Sequence, residues 1–158
     1  MNIRRTRLIK VIVLTIAIVP VTLYLMSVFA NRPDDLGVVQ GRLKPCPESP
    51  NCVCSQAEDA DHAMEPIPFS GLAEDAQDVI RNVINRQPRV KILTDEAGYI
   101  HAEFRSLIFR FADDVEFVID KEKKLIHFRS ASRVGHSDMG VNRSRMERIR
   151  DQFEAAAG

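Results

Sequence analysis

The stretch RSASRVGHSDMGVNRSRMERIR, residues 129–150, carries six arginines, four serines and two glycines against two acids. Guanidinium forks bind carboxylate or phosphate through two parallel hydrogen bonds. Arg129, Arg133 and Arg143 supply such forks, and Ser130, Ser132 and Ser137 add hydroxyls. Gly135 and Gly140 permit a sharp turn or close approach of backbone to a ligand. Asp138 and Asn142 are turn- and cap-forming types. A helix that starts just beyond attracts anions at its N-terminus. The chemistry on offer is anion binding. Its candidate residues are Arg129, Ser130, Ser132, Arg133, Ser137, Asp138, Asn142 and Arg143.

Two other readings use the same run. Ser132, His136 and Asp138 are the residue types of a hydrolase, although neighbours in sequence rarely meet in a triad, which is assembled across a fold. The chain has no G-x-S-x-G, H-E-x-x-H or P-loop. A scaffold would instead present the following helix to another envelope protein. The residues also read as architecture. Asp113 and Asp114 come within reach of Arg133, and Arg143, Arg145, Arg148 and Arg150 read as a solvated helix face.

The elements that must position this run follow from periodicity. Leu72, Ala76, Val79, Ile80, Val83 and Ile84 recur at helical spacing, which predicts a helix from a Ser70 cap to Gln87, ended by Pro88. The period then changes to two. Strands are predicted at Val90–Thr94, Tyr99–Phe104 and, as a short third strand, Leu107–Phe111. Val115–Asp120 and Leu125–Ser130 form a hairpin about Glu122 and Lys123. That turn sets Ile119 against Ile126, Phe117 against Phe128 and Val115 against Ser130 on the core face. On the opposite face Val118 meets His127 and Glu116 meets Arg129. This predicts a structural ion pair Glu116–Arg129, with His127 beside it as a candidate acid or base. A last helix runs from Arg143 to Ala157, capped by Asn142, with Val141 stapling to Met146. Ser144 with Glu147 offers a rival capping box. The expected fold is α+β: an antiparallel sheet of about four strands flanked by an N-terminal and a C-terminal helix, after a transmembrane segment.

The first thirty residues stand apart. Arg4, Arg5, Arg7 and Lys10 precede an apolar run from Val11 to Ala30. Twenty helical residues cover the roughly 30 Å hydrocarbon core of a bilayer. Residues 1–30 are read as a retained anchor. A cleaved signal sequence is the alternative, with Val28-Phe29-Ala30 as its processing site. Residues 31–42 are a linker and 43–158 a single extracytoplasmic domain. The expected location is the cell inner membrane, single-pass, with residues 31–158 on the periplasmic or extracytoplasmic side. Four of the 22 basic side chains lie in the first ten residues, where there are no acids, so the rest of the chain is net acidic. Such a domain is a poor nucleic-acid binder. The partners expected are the membrane through the N-terminal helix, and an anionic small molecule, lipid headgroup or envelope protein.

CPESPNCVC holds all three cysteines. In an oxidising compartment Cys46 and Cys52, bracketing two prolines, suit a disulfide, whereas Cys52 and Cys54 are too close to bridge well. A metal site from Cys46, Cys52, Cys54 and His62 is the alternative, but its spacing fits no common zinc pattern. No metal and no cofactor is expected.

Three segments, CPESPNCV, DDVEF and RSASRVGHSDMGVNRSRMERIR, resemble in order and spacing the family called domain of unknown function 1499, over about residues 43 to 152. The resemblance implies a small exported or membrane-associated protein and carries no biochemical activity with it. The family pattern reads serine where this chain has Cys54. That departure supports pairing Cys46 with Cys52 and leaving Cys54 spare.

Overall fold

The computed structural model describes residues 3–157, with side chains from residue 7 on. The side chains of Arg4 and Arg5, placed above on the membrane flank, lie outside that range. Helix α1 spans Ile3–Val28 and is long and apolar enough to cross a membrane. Its Pro20 sits inside the helix without ending it. Two short strands follow, β1 (Val38–Val39) and β2 (Arg42–Leu43), paired with each other. Then come β3 (Cys52–Cys54), β4 (Ile67–Pro68), α2 (Ala73–Asn85), β5 (Val90–Glu96), β6 (Tyr99–Arg105), β7 (Ala112–Asp120), β8 (Leu125–Ser132) and α3 (Val141–Ala157).

The fold is α+β. A six-stranded antiparallel sheet runs β3-β8-β7-β6-β5, with β4 pairing the remaining length of β8. The sheet is wider than four strands because the proline-rich lead supplies β3 and β4, segments too short to show a period. The hairpin register is the one the alternation dictates: Ile119 opposite Ile126, Phe117 opposite Phe128, Glu116 opposite Arg129. Asp120 Oδ1 accepts the amides of Glu122 and Lys123 and so fixes the turn.

Helices α2 and α3 cover one face. Ile80 and Ile84 of α2 and Met146, Ile149 and Phe153 of α3 meet Ile100, Phe117 and Phe128 of the sheet in one buried cluster. Each such side chain contributes about 1.5–3 kcal/mol on burial.

Several local expectations are corrected. Ser70 does not cap α2: Leu72 holds the cap position, with no side-chain cap hydrogen bond. Asn142 does not cap α3 either. The helix begins at Val141, and Asp138 caps it, accepting the Asn142 amide at 2.6 Å and the Gly140 amide at 3.1 Å. Val141 is half exposed, so it does not staple onto the buried Met146. Leu107–Phe111 is not a strand. Ser106 and Phe111 close it as a loop, through Ser106 N–H to the Phe111 carbonyl and Phe111 N–H to Ser106 Oγ, both 2.9 Å. Arg145 lies inside the molecule and not on a solvated helix face.

Candidate functional site

The ends of β6, β7 and β8 carry charge on both sheet faces, and strand parity decides which. Odd positions of β7 face the helices, so Asp113 points into the core with Val115 and Phe117, while Asp114 and Glu116 point to the opposite face. That opposite face is not open to water. The lead folds back over it, and Gly37 N–H donates to Glu116 Oε1 at 2.7 Å. Tyr99 O–H donates to the same oxygen at 2.8 Å, and burial followed by the Glu116 charge pushes the Tyr99 hydroxyl pKa up.

Glu116 is the centre of a cross-strand row in which His101, Glu116, Arg129 and Cys54 stand side by side. All four are buried. Arg129 Nη1 lies 3.6 Å from Glu116 Oε2, an ion-pair distance without a hydrogen bond. Among the described residues, His101 Nδ1, Glu116 Oε2 and Arg129 Nε meet no hydrogen-bond partner. Burial raises the Cys54 thiol pKa, which disfavours the nucleophilic thiolate.

The neighbouring row is fully paired. His101 Nε2 lies 2.8 Å from Asp114 Oδ1. Arg133 grips Asp114 through Nε and Nη2, both at 2.8 Å, and reaches Glu103 through Nη1 at 2.8 Å. Arg105 Nε donates to Glu103 at 2.7 Å. Burial alone would raise the Asp114 carboxyl, but the Arg133 fork and then His101 outweigh it and hold the pKa at about 2.

On the helix face, Ser130 Oγ donates to Asn142 Oδ1 at 2.6 Å. Asn142 Nδ2 donates to the Asn51 carbonyl at 2.9 Å and to Ser132 Oγ at 3.1 Å. Arg145 donates to Ser130 at 3.0 Å, to Asn142 at 2.5 Å and to Asp113. Arg143, on the flank of α3, donates to the carbonyls of Asp61 and Ala63. Ser137 Oγ accepts the Met139 amide in the turn before the helix.

The candidate anion-binding residues therefore divide. Arg129 and Arg133 lie on one sheet face. Ser130, Ser132 and Asn142 lie on the other, Ser137 and Asp138 form the turn between, and Arg143 reaches back to the lead. Ser132, His136 and Asp138 are not gathered: Ser132 bonds Asn142, Asp138 caps α3 and His136 is exposed. The Ser–His contact that does form joins Ser55 Oγ and His127 Nδ1 at 3.2 Å. Ser55 Oγ also accepts the Phe128 amide at 2.9 Å, and burial lowers the His127 pKa, which favours the neutral imidazole.

Cys46 and Cys52 are bridged, their Cα atoms 5.7 Å apart. The bridge takes two thiolates from the alternative four-ligand metal set. His62 is held by Asp59 at 2.6 Å and the Ser49 carbonyl at 3.2 Å. Among the described residues no group of His, Cys, Asp and Glu is close enough to hold a metal.

Three surface cavities differ in sign. One of 710 Å³ is rimmed by Glu74, Asp78, Asp95 and Glu96 against Arg81 and Lys121. A second, of 680 Å³, holds Asp35, Glu58 and Asp59 against Arg42 and Lys44. The third, of 280 Å³, lies between the start of β5, the end of β6 and the start of α3, and is lined by Arg89, Arg105, Arg145 and Arg148 with Asp113 as its acid. Asp113 is engaged by Arg145, and Arg105 by Glu103. Arg89 bonds the Arg105 carbonyl and Arg148 the Gln87 side-chain oxygen; among the described residues neither meets a carboxylate. Sequence reading passed over Arg89 because it stands outside the arginine-rich run. The change of period at Pro88 marks it as standing at an element boundary, and the structure sets that boundary beside α3.

The family model described as Protein of unknown function (DUF1499) matches residues 42–153. No curated protein and no solved structure matches the chain.

Proposed function

The chain belongs to the DUF1499 family, and on that premise we propose that it is a membrane-anchored extracytoplasmic domain that binds an anionic group without catalysis. The anchor is α1. The anion meets the domain at the shoulder of the arginine-rich loop, in the 280 Å³ cavity between Arg89, Arg105 and Arg148. The observation that carries the reading is the pair of guanidinium groups, on Arg89 and Arg148, that face this cavity with no carboxylate partner among the described residues. Arg129 and Arg133 fit the role less well, since Glu116, Asp114 and Glu103 already neutralise them. The Val141 and Asn142 amides at the start of α3 are also taken, by the Asp138 carbonyl and carboxylate, so the arginines supply the attraction more than the helix terminus does.

The test is thermal unfolding of the full chain in detergent micelles against inorganic phosphate, sulfate and glycerol 3-phosphate. A ligand at 100 times its dissociation constant adds about 2.7 kcal/mol. The expected result is a rise in Tm with the phosphate-bearing ligands that the double substitution Arg89→Ala/Arg148→Ala abolishes. A Tm indifferent to every anion, or a rise that survives the double substitution, overturns the reading.

A further inference from the structure

The loop between β6 and β7 is the sequence SLIFRF. Leu107 is 70% exposed and Ile108 75% exposed, side chains that a solvated domain ordinarily buries. Met139, on the other lip of the arginine cavity, is 96% exposed. Ser106 and Met139 line that one cavity, and Leu107 and Ile108 follow Ser106 directly in the loop. Exposed Arg89 and Arg148 line it, and the adjoining segments add exposed Arg110 and, two residues before Pro88, exposed Arg86. The segments 86–89, 106–111 and 139–146 contain no acid. Apolar side chains at a tip, ringed by cations, match the layering of a bilayer surface, with acyl chains beneath anionic headgroups.

The tether favours that occupant over a soluble one. Nine residues, Phe29 to Gly37, join the end of α1 to the point where the lead is pinned on Glu116. They span at most about 30 Å. Glu116 stands four residues from the tip end of β7, about 13 Å at strand rise. The full extension of those residues exceeds that distance, so a tilt that brings the tip to the bilayer holding α1 is within the reach of the chain once Asp35 lets go of Lys44. Its shortness also keeps the local concentration of that surface high, and weak intrinsic affinity then suffices.

We infer that the SLIFRF loop and Met139 dip into the anionic surface of the membrane that anchors the chain, and that the cavity of Arg89, Arg105 and Arg148 takes a phosphate headgroup of that same surface. This rests on the anchored, anion-binding reading above and names the source of its ligand.

The chain has no tryptophan, so one introduced indole reports alone. Ile108→Trp is placed at the tip. Lys121→Trp goes to the β7–β8 turn at the opposite end of the sheet. Each full-length variant is reconstituted in vesicles of phosphatidylcholine, with or without phosphatidylglycerol, that carry bromine-labelled acyl chains. The expected result is blue-shifted, quenched emission from the tip variant in the anionic vesicles, weakened by Arg89→Glu/Arg148→Glu, and unshifted emission from the turn variant. Emission from the tip variant that stays at its water-exposed position in both vesicles overturns the inference. If glycerol 3-phosphate still raises the Tm in that case, the cavity binds a free phosphate and the bilayer proposal alone is lost. Tip quenching without any effect of glycerol 3-phosphate sustains the bilayer as partner and removes the free-ligand reading.

Discussion

Two arginine clusters sit at the same end of the sheet and differ in what they meet. In the first, Arg129, Arg133 and Arg145 each face a carboxylate supplied by β7: Glu116, Asp114 and Asp113 in turn. In the second, Arg89 and Arg148 find only a carbonyl and an amide oxygen among the described residues. The residue type is the same, and what differs is whether the neighbouring strand carries an acid at the matching position. Local basicity in a sequence thus says little about where a free cation lies. The acids that neutralise it come from another strand and are found only through register.

The comparison breaks most decisively at Arg133. Replacing it with alanine leaves Asp114 and Glu103 facing each other with too little positive charge, in a place where Asp114 is only 2% exposed. Removing one partner of a buried pair costs about 3–5 kcal/mol. Arg133→Ala is therefore expected to lower the urea midpoint sharply, and Arg145→Ala to do the same on the helix face. A change below about 1 kcal/mol at Arg133 would place that cluster in the class of exposed pairs and erase the contrast.

How much of this the sequence disclosed depends on periodicity. The hairpin β7–β8 was legible to the residue, because alternation over two strands and a tight turn leaves one register that buries Phe117 and Phe128. That register also named the Glu116–Arg129 neighbours. It did not reveal that their face is covered, since the covering lead, with β1 and β2 of two residues each, is too short for any period. Arg145 was misread as solvated although a signal was present. Asn142, Arg145 and Ile149 share helical spacing, and Asp113 shares parity with Val115, so a core-facing acid already called for a core-facing cation. The SLIFRF loop imitated a strand because its apolar residues suit one, and only Ser106 meeting Phe111 reveals the closure.

Two effects of intermediate size sharpen the contrast. The Cys46–Cys52 bridge holds the lead beside β3. Opening so small a loop is expected to cost about 2 kcal/mol by chain entropy, read as a drop in the urea midpoint on reduction or in Cys46→Ser/Cys52→Ser. Acid should weaken the first cluster selectively. Asp114 has its folded pKa depressed to about 2 from 3.8, so its contribution is complete above pH 4 and is lost as pH falls through the folded value. That is about 2 kcal/mol at 1.36 kcal/mol per pKa unit. Stability measured between pH 5 and pH 2 should show this loss (about that range, from linkage), and Asp114→Asn should flatten it. A wild-type profile unchanged across that window contradicts the pairing.

A smaller effect belongs to the turn between the clusters. Asp138 caps α3 through two amides, and Asp138→Ala is expected to cost about 1 kcal/mol. Loss of this cap also frees those amides, so phosphate binding should survive the substitution.

The smallest effect on stability is the most informative about function. Arg148 is exposed and its observed bond is to a glutamine, so Arg148→Ala should change the unfolding free energy by no more than about 0.5 kcal/mol. If the second cluster exists to bind, the same substitution must still reduce the phosphate-induced rise in Tm. A residue that matters little to the unliganded fold and much to the liganded one cannot be fold glue. If Arg148→Ala instead destabilises the protein as strongly as Arg133→Ala does, both clusters are architecture, and the difference between them is only one of exposure.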